Sequence, residues 1–124
     1  MSRGTPEPVS LDAAAVARAA YGCALLIAPD TLLGLAGRPP AGPGAVVVAR
    51  VLAARHLLQA AVTTAKPAAP IGGLGAAVDV LHAATGLALA AVSPRWRRAA
   101  LVDAATATAL AVAGWIGARQ ARRR

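Results

Sequence analysis

Eight polar side chains lie inside stretches that are otherwise apolar: Arg18, Arg50, Arg55, His56, Gln59, Asp79, His82 and Asp103. An unpaired charge in low dielectric is costly. These arginines are therefore expected to seek the aspartates, whose two oxygens match the planar guanidinium fork. Three chemistries fit the residue types. One is a set of buried ion pairs that fixes how helices pack. A second is a polar cavity that binds a ligand or relays protons, as intramembrane Asp and His do. The third is a haem with His56 and His82 as axial ligands, a group that helical bundles host in their cores. Asp79-x-x-His82 also puts two ligand types on one helix face, but three nearby arginines would repel a cation. No metal site is expected, and no cofactor apart from the haem alternative.

Catalytic signatures are missing. There is no nucleophile elbow, zincin motif or phosphate-binding loop, and the IGGLG run lacks a following Lys and a preceding strand. Ser10 and Ser93 sit at expected helix ends and read as caps. Cys23 is the one cysteine in the chain, so an intrachain disulfide is excluded and it reads as a small packing residue. A non-enzymatic role is expected.

The elements that must position these groups are helices. Of the 124 residues, 57% are hydrophobic and only 15% charged, with no Phe and with Ala by far the commonest residue. Ala is the strongest helix former, and soluble domains carry about 25% charged residues. An all-α, antiparallel four-helix transmembrane bundle is therefore expected. Its helices are placed at about 11–28, 45–65, 71–92 and 95–118. Residues 1–10, with Pro6 and Pro8, are expected to be a disordered segment and not a signal peptide, and 119–124 a basic tail. The TLLGLA run after Pro29 is expected either to prolong the first helix past a kink or to lie in the membrane interface. RPPAGPG then breaks the chain. Ser93 is expected to cap, and Pro94 to open, the last helix.

Depth counting along these helices pairs the polar groups in two layers. Arg50 and Asp103 fall within about 5 Å of one level at 1.5 Å per residue. Arg55 or Arg18 fall near Asp79, with His82 and His56. Arg55, His56, Gln59 and Thr63 share an arc of about 100°, and Arg50 points elsewhere. Small residues run beside the polar ones: Gly72, Gly75 and Gly86 with Asp79 and His82, Gly114 and Gly117 with Asp103, Gly22 with Arg18 and Tyr21. Such stripes let membrane helices approach closely.

The chain carries a net charge of +8. Its free basic residues cluster at the ends of apolar segments, which suits lipid headgroups and not a nucleic-acid groove. With four spans, one side holds Arg3, Lys66, Arg119, Arg122, Arg123 and Arg124, and the other Arg38, Arg95, Arg97 and Arg98. That excess favours cytoplasmic termini in a multi-pass protein of the cell membrane. The ARVLAARHLLQA run, the later Asp-x-x-His helix and the Arg-rich loop before the last helix resemble small multi-pass membrane proteins of actinobacteria. The resemblance implies a four-helix integral membrane fold and no activity, so no site residue follows from it. The leading functional expectation is an accessory or scaffold subunit that self-associates as a homo-oligomer or packs on another membrane protein. The alternatives are a proton- or small-molecule-handling transporter or channel, and a haem- or ligand-binding membrane subunit.

Overall fold

The computed structural model describes residues 11–36, 42–66 and 68–124. Five helices follow one another: α1 (Leu11–Ile27), α2 (Pro29–Ala36), α3 (Pro43–Ala65), α4 (Ala69–Val92) and α5 (Arg97–Arg122). No strand occurs among the described residues. The expected disordered segment 1–10, and most of the RPPAGPG breaker, lie outside them.

Proline placement explains the helix starts. Pro43 and Pro70 lie in the first turns of α3 and α4, where the missing N–H would have had no partner within the helix. The segment after Pro29 is a helix of its own, bent by 100° from α1. It therefore does not prolong α1 in a straight line. Ser93 closes α4 instead of opening α5: its N–H donates to the Leu89 carbonyl and its own carbonyl accepts from Trp96. Trp96 takes the N-cap position of α5, and Arg97 Nε donates to the Ala90 carbonyl at 2.9 Å. An arginine on the last carbonyls of a helix meets the negative end of its dipole. The C-terminal end also departs from expectation, because α5 continues to Arg122 through most of the expected tail.

α1 packs mainly on α3, α4 mainly on α5, and α1 joins the two pairs along α5, while α3 and α4 touch only sparsely despite being neighbours in sequence. Glycines set the closest approaches. A Cβ on Gly22 would lie 3.0 Å from Leu57 and 3.1 Å from the Ala53 carbonyl, and one on Gly86 3.2 Å from the Ala104 Cβ. These backbones come together because nothing stands between them.

Among the described residues the buried apolar side chains are alanines apart from Leu25, Pro29 and Leu110, and many large ones point outward, with Ile27, Val51, Leu58, Leu81 and Val92 exposed. A water-soluble bundle does the reverse, since burying the large side chains drives its folding. Three helices, α3, α4 and α5, are long and apolar enough to cross a membrane, and α1 with α2 qualify together only as a bent pair. The inside-out pattern and these lengths agree with a membrane protein, in which lipid covers the large side chains.

Candidate functional site

Asp79, midway along α4, has no solvent exposure. Its Oδ1 accepts from Arg55 Nη2 of α3 at 2.6 Å. Its Oδ2 meets the Arg18 guanidinium of α1 as an ion pair without hydrogen-bond alignment. Gln59 completes the cluster. Its Oε1 accepts from Arg18 Nη1 at 3.3 Å and from Arg55 Nε at 3.4 Å. Arg18 Nη2 also donates to the Leu110 carbonyl of α5 at 3.4 Å. Four helices thus meet at one carboxylate and two guanidiniums. The sequence left open which arginine takes Asp79, and the structure gives it both.

A second cluster lies one turn away, since Tyr21 and His82 follow Arg18 and Asp79 by three residues on their helices, roughly 4.5 Å. Asp103 Oδ2 lies 2.6 Å from His82 Nε2, and Asp103 Oδ1 accepts from the Tyr21 hydroxyl at 3.3 Å. This corrects the expected layers in two ways. Arg50 does not reach Asp103; it is exposed and has no ion pair among the described residues. His82 leaves Asp79's layer and joins Asp103's. The physical reason is the tight turn at Ser93–Trp96, which folds α5 back on α4. Residues at similar distances from that turn meet, and His82 and Asp103 are such a pair. Depth counting gave Arg50 and Asp103 one level, but α3 shows its Arg50 face to the outside.

His56 is 1% exposed, its ring set edge-on against Tyr21 with centroids 5.1 Å apart. Its Nδ1 has no hydrogen-bond partner among the described residues. The two imidazoles are employed differently, His56 in packing and His82 on Asp103, and neither lines a cavity described below. The same divergence separates Asp79 from His82, so the pair does not converge on a metal, and among the described residues no group of three or more His, Cys, Asp or Glu could hold one.

Each cluster borders a cavity. One of about 330 Å³ is lined by α1, α2, α3, α5 and Leu89 of α4, with Tyr21 and Asp103 as its polar lining side chains. Its walls are apolar, with Leu25, Leu33, Val48, Leu52 and Trp96. The other, about 220 Å³, borders the arginine cluster and includes Arg18, Gln59 and Thr63 in its lining. Sequence reasoning placed Tyr21 and Thr63 on polar stripes without making either a site residue. The signal was available for both, since Tyr21 lies one turn from Arg18 and Thr63 one turn from Gln59 and two from Arg55.

No family model matches the chain, and no curated protein or solved structure is significantly similar to it. The resemblance drawn from the ARVLAARHLLQA run therefore has no match among these comparisons.

Proposed function

We propose that this is a non-enzymatic membrane protein of four antiparallel spans that binds a small apolar molecule bearing one hydrogen-bond donor. The observation that carries the reading is the 330 Å³, mostly apolar cavity whose lining includes a partly exposed carboxylate, Asp103. Ligand sites have this character: apolar walls that take the body, and few polar groups that orient it. Tyr21 and His82 occupy part of each Asp103 oxygen and hold the carboxylate in place, and each oxygen keeps capacity for a further donor.

The four-span arrangement is supported by contact order. Leu25 packs with Ala49 and Arg18 reaches Gln59; His82 reaches Asp103 and Gly72 lies by Gly114. Both series run in opposite directions along their helices. α1 supplies the first crossing and α2 lies along the interface. Trp96 and Trp115 stand about 28 Å apart along α5 at 1.5 Å per residue, the spacing of the two aromatic belts of a bilayer. Arg95 and Arg119 stack on them at 5.4 and 3.7 Å, as cations of the headgroup zone. The excess of basic flanking residues puts the termini in the cytoplasm.

The scaffold reading has less support, because outward-facing Val and Leu serve lipid as well as a partner. Proton or solute handling around Asp79 also has less, because that carboxylate is taken up by two guanidiniums. Trp96 lines the cavity and can report on it. In a Trp115→Phe background reconstituted in nanodiscs, dibromophenol is expected to quench Trp96 saturably, and dibromobenzene several-fold more weakly. A Cβ at Gly44 meets nothing within 4 Å, so Gly44→Leu can add bulk to the cavity lining without a backbone clash and is expected to abolish the saturable component. Equal quenching of wild type and Gly44→Leu would remove the proposal.

A further inference from the structure

The cluster at Asp79 is unbalanced. Two guanidiniums share one carboxylate, which leaves one positive charge in excess. Arg18 is 3% exposed, while the Arg55 side chain keeps 23% exposure. Asp12, the one acid of α1, is exposed in its first turn and pairs with neither arginine. A buried charge without full compensation is costly. A bound anion removes that cost.

The 220 Å³ cavity beside Arg18 is built to take one. Each polar side chain in its lining can donate there. Arg18 supplies its guanidinium. Gln59 Oε1 already accepts from two arginines, which orients the amide and leaves its NH₂ as the outward group, near Gly75. Thr63 is nine-tenths buried, lines the cavity, and its hydroxyl makes no hydrogen bond among the described residues. No carboxylate lines the cavity. Glycines leave room beside the guanidinium: a Cβ on Gly114 would come within 3.4 Å of Arg18 Nη2, and one on Gly75 within 3.9 Å. The remaining walls are apolar, among them Leu58, Ile71, Leu74 and Val78. A halide would leave those walls without a partner. A carboxylate with an apolar tail satisfies both the donors and the walls, and arginine's fork matches its two oxygens.

We infer that this cavity binds a monocarboxylate with an apolar tail, its carboxylate on Arg18, Gln59 and Thr63. The site is separate from the cavity lined by Asp103, and its test does not depend on that reading.

Equilibrium dialysis of radiolabelled hexanoate into protein-loaded nanodiscs, against empty ones, tests the inference. Saturable binding of about one hexanoate per chain is expected. Hexanol has the same tail without the charge and is expected to compete at least tenfold less well. Arg18→Gln should lose binding, but it also disturbs the ion pairs and can fail to fold. Two milder variants therefore carry the test. Thr63→Val removes a donor at nearly constant volume and is expected to weaken binding several-fold. Gly75→Leu fills the cavity and is expected to abolish it; its Cβ has ordinary contact distances of 3.8 and 3.9 Å. Displacement by oleate in the nanodisc would support the inference with the bilayer as the source of the acid. Displacement by butyrate but not oleate would support it with the aqueous phase as the source. No saturable binding, equal competition by hexanol, or undiminished binding to Gly75→Leu would each overturn it.

Discussion

The two polar clusters are built from similar residues one helical turn apart and behave oppositely. At Asp79 a fully buried carboxylate is outnumbered by arginines, and the adjoining cavity is lined by donors. At Asp103 the carboxylate side chain is 22% exposed, its partners are a histidine and a tyrosine, and the adjoining cavity has an acceptor in its lining. The difference teaches that charge ratio and burial, not residue type, set what such a layer does. Surplus cations in a sealed layer tie helices together and call for an anion. A partly open acid held by a histidine and a tyrosine offers an oxygen to a ligand.

The contrast predicts unequal costs. Asp79→Ala leaves two guanidiniums facing each other among α1, α3 and α4, and breaking a buried pair this way costs about 3–5 kcal/mol. It should collapse the monodisperse detergent-solubilised peak in size-exclusion chromatography. Asp103→Ala leaves no buried surplus charge and should preserve that peak. Equal losses would mean that both acids are structural, and the comparison would fail.

Next in size are the close contacts between helices. Gly22→Ala presses a Cβ to 3.1 Å from the Ala53 carbonyl, which backbone cannot easily yield. An overpacked contact of this kind costs about 1–3 kcal/mol. Gly75→Ala, with its nearest neighbour at 3.8 Å, should be tolerated. Denaturation in mixed micelles of increasing SDS fraction would rank the two. The opposite ranking would show that helix separation is not set where the glycines place it.

Tyr21→Phe removes one hydrogen bond to Asp103 of 3.3 Å and retains the ring against His56. Its cost should sit near the lower end of the usual 0.5–1.5 kcal/mol. The same titration would detect it as a small shift of the midpoint. A loss as large as that of Asp79→Ala would mean that the Asp103 cluster is a clamp as well. Arg50→Gln should be the mildest, with an unchanged midpoint, because Arg50 faces outward. A marked loss would restore its expected contact with Asp103.

Much of this was legible in the chain. The long helices fell within a few residues of their expected places because Pro, Gly and Ala act locally. Arg18, Asp79 and Gly22 announced inward faces through their spacing. The Arg55–Asp79 contact was reachable from depth alone. The His82–Asp103 contact was not, because it needs both the α4–α5 turn and the rotation of each helix about its axis. A depth count carries no information on rotation, and Arg50 shows the consequence.

Composition and local pattern thus determined that this protein is helical, that its helices suit a membrane, and, Arg50 excepted, which residues face its polar interior. Those properties follow from single residues and their near neighbours. Tertiary structure alone decided the partners: two arginines to Asp79, a histidine and a tyrosine to Asp103, none to Arg50 among the described residues. Partnership depends on which helix faces which. In a bundle of nearly interchangeable alanine surfaces, that choice is made where glycines permit contact and buried charges require it.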